Sequence, residues 1–160
     1  MTSEQPDQKA VAYHESGHAV AAFIHGLEIE CASVRPDEAY RGRVRAKPQG
    51  RPIDPRHLAL THLAGPAAQR HFAGECSYEE AREDHDLARD YVSSLLQSAA
   101  QQDAYLSFLE VVAAEFVKVE ALKIHEFSIV LKVRGSLSGE EAEKELAGFG
   151  RAKWTSLDWP

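Results

Sequence analysis

The chain has 160 residues, 44% hydrophobic and 27% charged, a composition that fits one folded domain with a core of its own. A formal charge of -7 argues against a nucleic-acid partner, and two cysteines, Cys31 and Cys76, are too few for a disulfide framework. No apolar run is long enough to cross a bilayer, and the opening MTSEQPDQKA lacks the apolar centre of a signal peptide, so a reduced, cytoplasmic compartment is expected, with no membrane partner.

Residues 1–6 read as a disordered lead. From Asp7 to Ile24 the pattern is helical, with Val11, Tyr13, Val20, Phe23 and Ile24 among alanines, Asp7 as N-cap and Gly26 just past the end. Residues 29–35 (IECASVR) and 42–46 (GRVRA) read as two short strands. The region around them is the most basic in the chain, with Arg35, Arg41, Arg43, Arg45, Lys47, Arg51 and Arg56. It reads either as a charge-protected edge or as a surface for an extended peptide. Three helices are then expected, over 56–73 with a break near Gly65-Pro66, over 79–100, and over 103–133 with Gly135 as its stop. Ser138 and Glu141 have capping-box spacing and open a last short helix; the tail with Trp154 and Trp159 is expected to dock on its own domain. The fold class expected is mainly α, an α+β domain with a small β-hairpin or sheet.

The first helix contains His14-Glu15-Ser16-Gly17-His18, the order H-E-x-x-H. Residues four apart share one helix face, so His14 and His18 can direct imidazole nitrogens at one point, about 2.0–2.1 Å from a zinc ion. Glu15, beside the first of them, can reach a water at that ion and act as general base. The helix is otherwise small and apolar, and buried histidines beside a buried glutamate need partners that a metal provides. His25 lies two turns past His18 and is out of reach of the same ion.

A catalytic zinc takes a third protein ligand and keeps one position open. A metzincin would place a glycine and a histidine where Ala21 and Ile24 stand, so the third ligand comes from elsewhere. The acidic segment SYEEAREDHDLARDYVSSL is the best source. Asp84 stands one turn before Ala88 on its apolar stripe, with Glu80 and Asp86 as alternatives. His85 reads as solvent-facing. His57, His62, His71 and His125 read as surface or core-edge residues.

These residues together resemble the peptidase domain of the FtsH family of zinc metallopeptidases. The family's first helix is close to YHEAGHAVVA, and here it is YHESGHAVAA; Val34-Arg35-Pro36 and the LAGPAAQ of Leu63 to Gln69 are similar to later family segments, as are Asp84 with Ala88 and the closing RGSLSGEEAEKEL. The chain differs in having Glu83-Asp84 for an asparagine-aspartate pair, Gln69 for a common glutamate, and DEAYRGR between the strands. The resemblance implies a helical peptidase domain over 9–148, between a lead over 1–8 and a tail over 149–160, with Zn2+ held by His14, His18 and Asp84 and Glu15 as base. It implies a polypeptide substrate, laid as an added strand beside residues 29–35. The 160 residues hold no Walker sequence, hence no ATP site. The family's habit of packing in rings implies a homo-oligomer, and its ATPase module implies a separate ATPase partner as the other possibility. Tyr40 and the nearby arginines are the candidates for stabilising an oxyanion. The same residues admit two other readings, a zinc-binding adaptor without activity and a protease for one regulatory protein.

Overall fold

The computed structural model describes residues 7–37 and 41–154. The expected lead over 1–6, Tyr40 and Trp159 lie outside the described residues. The class is mainly α, as expected. Helices α1 (Gln8–Ile24), α2 (Pro55–Ala73), α3 (Tyr78–Ser93), α4 (Ala99–Val119), α5 (Ala121–Arg134) and α6 (Gly139–Gly148) accompany strands β1 (Leu27–Ser33), β2 (Arg43–Pro48) and β3 (Ser136–Ser138). No helix among them is long and apolar enough to cross a membrane.

Helix α1 begins where Asp7 accepts a hydrogen bond from the Lys9 N–H at 3.0 Å, and Gly26 takes a positive φ of 75° just beyond it. Its small residues are buried on several sides, Ala12, Ala19, Val20, Ala21 and Ala22 being fully enclosed. It packs on α2, α5 and β1. The contact with α2 is close because both helices are made of small side chains there. A Cβ at Gly17 would lie 2.3 Å from the Ala64 carbonyl oxygen. Helix α2 was expected to break near Gly65-Pro66, and it runs through. Pro66 removes one backbone donor, yet Leu63 to Gln69 are buried and packing holds the helix together.

The helix expected over 79–100 ends at Ser93. A second capping box, Ser98 with Gln101, starts α4. The single helix expected over 103–133 is two, divided at Glu120 (φ -100°, ψ 17°). The reason is the tail. Glu120 is 1% exposed, and its Oε1 accepts the backbone N–H groups of Lys153 and Trp154. Its Oε2 lies 3.4 Å from Lys123 Nζ, which donates to the Arg151 carbonyl. Trp154 is buried edge-on against Phe116, with ring centroids 5.4 Å apart. The tail through Trp154 therefore docks on its own domain, and a helix break supplies its anchor. Gly135 ends α5 with φ 77°, and Ser138 and Glu141 form the expected capping box on α6.

The sheet is antiparallel in the order β2-β1-β3. Leu27 faces Pro48 and Ala32 faces Val44, with an irregularity between Ile29 and Cys31; β3, absent from the sequence reading, pairs Cys31 with Ser138. This corrects the expected place for an added strand. Residues 29–33 are the middle of the sheet. The free side of β1 before Cys31 is closed by α6, where the Ile29 N–H bonds Glu143 and Gly139 abuts the Ile29 carbonyl. The edge strand next to α1 is β2. Its Arg45 and Lys47 pair with Glu28 and Glu30 across the sheet.

Glu120→Ala leaves Lys123 and two backbone N–H groups, that of Trp154 buried, without their carboxylate. It should lower unfolding free energy by about 3–5 kcal/mol, read as a lower urea midpoint at unchanged slope.

Candidate metal centre

Three side chains, two from α1 and one from α3, converge. His14 Nε2 lies 2.9 Å from Asp84 Oδ2, and His18 Nε2 lies 3.3 Å from Asp84 Oδ1. The three donor atoms fall within 4.8 Å of one another, and the side chains are mostly buried. Of the three candidates in the acidic segment, the structure brings Asp84 to the histidines. Glu80 turns instead to Gln69 (3.3 Å), Arg41 (3.3 Å) and its own capping box, and Asp86 is exposed.

The other nitrogen of each imidazole decides what the first can do. His14 Nδ1 is 2.9 Å from Gln69 Oε1, and His18 Nδ1 is 2.8 Å from the Thr61 carbonyl. A carbonyl oxygen only accepts, so His18 Nδ1 carries the proton. The Gln69 amide nitrogen points at Glu80, which leaves its oxygen to accept from His14 in the same way. Each ring therefore aims Nε2 at Asp84, and positive charge must stand between these atoms, as a proton or as a cation. The titration of the groups reflects this. Burial would raise Asp84, but the His18 charge, the hydrogen bond from His14 and the nearby His18 and His62 ring nitrogens hold it far below the usual carboxylate range. Burial would lower both histidines; contact with Asp84 raises His14 well above 6.5 and lifts His18 as well. Two Nε2 atoms and one carboxylate, with both Nδ1 protons committed to acceptors, are a set of donors that could hold a metal ion.

Glu15 lies beside this point and is 7% exposed. Burial raises its pKa above 4.5 against the pull of His18 and His14. A carboxylate raised in this way is the better proton acceptor. The site opens into a cleft of about 1090 Å³ bounded by α1, α2, α3 and β2.

Sequence reasoning missed three groups here. Thr61 acts through its backbone carbonyl, which no side-chain pattern announces. Gln69 stood out as a departure from a glutamate, without a role. His62, read as a surface or core-edge histidine, faces the site, with Nδ1 3.6 Å from Asp84 Oδ1. A signal existed: His62, Gly65 and Gln69 recur at three- and four-residue steps on one helix face. His85, expected in solvent, bonds Glu110 of α4, and His125 bonds the Tyr13 hydroxyl at 2.7 Å. His25 bonds Thr61 Oγ1 at 3.0 Å and stacks on His57, centroids 4.7 Å apart.

No protein-family model matches the chain, and no curated protein resembles it closely enough to count as a relative.

Two expectations follow. Burial, then the His57 charge, pushes His25 down to about 3. Between that value and about 6.5 the unfolded chain binds a proton that the folded chain refuses, so this group makes stability rise with pH across that window. The His25 ring carbons should show no titration by NMR between pH 5 and 8. Secondly, a Cβ at Gly65 would sit 2.3 Å from His18 Nε2. Gly65→Ala should fold yet displace that ring, weakening zinc binding by tenfold or more in a chelator competition.

Proposed function

We propose that the chain is a zinc-dependent metallopeptidase that hydrolyses peptide bonds in unfolded or flexible polypeptides. The observation that carries the reading is the convergence of His14, His18 and Asp84 beside a buried Glu15, all facing one open cleft. His14 Nε2, His18 Nε2 and an Asp84 oxygen would hold the ion, oriented by Gln69 and Thr61. Bound there, zinc supplies a Lewis acid that polarises a substrate carbonyl and acidifies water. Glu15 takes the proton of the attacking water on its carboxylate and returns it to the leaving nitrogen.

The place for the substrate is the outer edge of β2. Val44 and Ala46 of this strand line the cleft, where an extended polypeptide can continue the sheet. Backbone pairing suits substrates that present unfolded chain.

The test compares wild type with Glu15→Gln on an unstructured protein such as casein. The variant should bind zinc as well as wild type and cleave about 100- to 10,000-fold more slowly. A wild-type chain that binds zinc but cleaves no polypeptide would sink the peptidase reading and leave a metal-binding module. A chain that binds no zinc would sink both.

A further inference from the structure

We propose that His62 is the positioning residue of the third ligand, its Nδ1–H holding Asp84 Oδ1 so that Oδ2 is the oxygen given to the metal. This rests on the metal reading above and adds to it how the carboxylate is aimed.

The argument starts from the atoms around Asp84. Oδ2 faces His14 Nε2 at 2.9 Å; Oδ1 has His18 Nε2 at 3.3 Å and His62 Nδ1 at 3.6 Å. His14 and His18 spend their Nδ1 protons on Gln69 and Thr61. Once both Nε2 lone pairs bind an ion, neither ring has a proton for Asp84. Among the described residues, His62 Nδ1 is then the ring nitrogen near the carboxylate with a proton to give. A separation of 3.6 Å is longer than a formed hydrogen bond, and a small ring rotation closes it.

The ring is held for this purpose. It stacks on Tyr91 with centroids 5.7 Å apart and planes 16° from parallel, and it meets His18 edge-on at 6.3 Å. Tyr91 follows Asp84 by seven residues on α3, two turns along the same face. Helix α3 thus carries both the carboxylate and the platform under the ring that reaches it. Helix α2 serves the ligands one by one, with the Thr61 carbonyl for His18, Gln69 for His14 and His62 for Asp84. A carboxylate gripped by one oxygen binds through the other and leaves a coordination position for the reaction. One bound through both would fill that position.

The experiment uses the full chain with His62→Ala, His62→Asn and His62→Gln. Asparagine places an N–H where Nδ1 was, whereas glutamine places one near Nε2. Zinc affinity is read by competition with a chromophoric chelator, and the ligand set by the visible spectrum of the cobalt(II) form. The alanine and glutamine variants should bind zinc about 10- to 100-fold more weakly, the asparagine variant should return close to wild type, and all should keep the wild-type cobalt spectrum. Wild-type affinity in the alanine variant would overturn the proposal, as would an asparagine variant no better than alanine. A cobalt spectrum altered in the alanine variant alone would make His62 a ligand and overturn it too. Failure of wild type to bind either ion would overturn the metal reading and this proposal with it, an outcome distinct from a deficit confined to the variants.

Discussion

The approach of α2 onto α1 is the constraint on which the rest of the molecule depends. Two helices come this near only where neither carries a bulky side chain, and Gly17, Ala64, Gly65 and Ala68 provide that seam. Its consequence is chemical as well as structural. The backbone of α2 comes within hydrogen-bond range of an imidazole on α1, and the Thr61 carbonyl becomes the partner of His18. A larger residue anywhere along the seam would separate the helices and the ring from its acceptor together. Packing and chemistry therefore share the same few atoms.

A second line of order runs across the site as a polar chain. Arg41 pairs with Glu80, Glu80 accepts from Gln69, Gln69 accepts from His14, and His14 faces Asp84. The chain connects the loop before β2 to the start of α3 through a ring on α1. Glu80 is the pivotal member, because its other oxygen closes the capping box with the Ser77 N–H. The carboxylate that begins α3 thus also orients, through one amide, the ring that faces the helix's other carboxylate.

How much of this was legible in the sequence follows from the range of each interaction. Local signals were readable: the Asp7 cap, the stops at Gly26 and Gly135, and the Ser138–Glu141 box depend on neighbours within a few residues. The H-E-x-x-H face and the place of Asp84 were readable because helical periodicity converts spacing into direction. The break at Glu120 was not, since its cause is a backbone segment more than thirty residues later. The central place of β1 was missed for the same reason, because β3 lies a hundred residues away and is three residues long. His62 and Thr61 were missed because a supporting role is defined by the partner, and the partner lies on another helix.

An edge strand beside a wide cleft poses a problem of self-recognition, since a backbone edge left open among the described residues can pair with its own twin. Arg43, Arg45 and Lys47 give β2 a cationic row, and Pro48 withholds a donor at its end. Arg45 and Lys47 are already answered by Glu28 and Glu30 on β1, so what two such edges would lose on meeting is the rung that Pro48 cannot form. A proline at the end of an edge strand thus serves as a terminus for the ladder as well as for the strand.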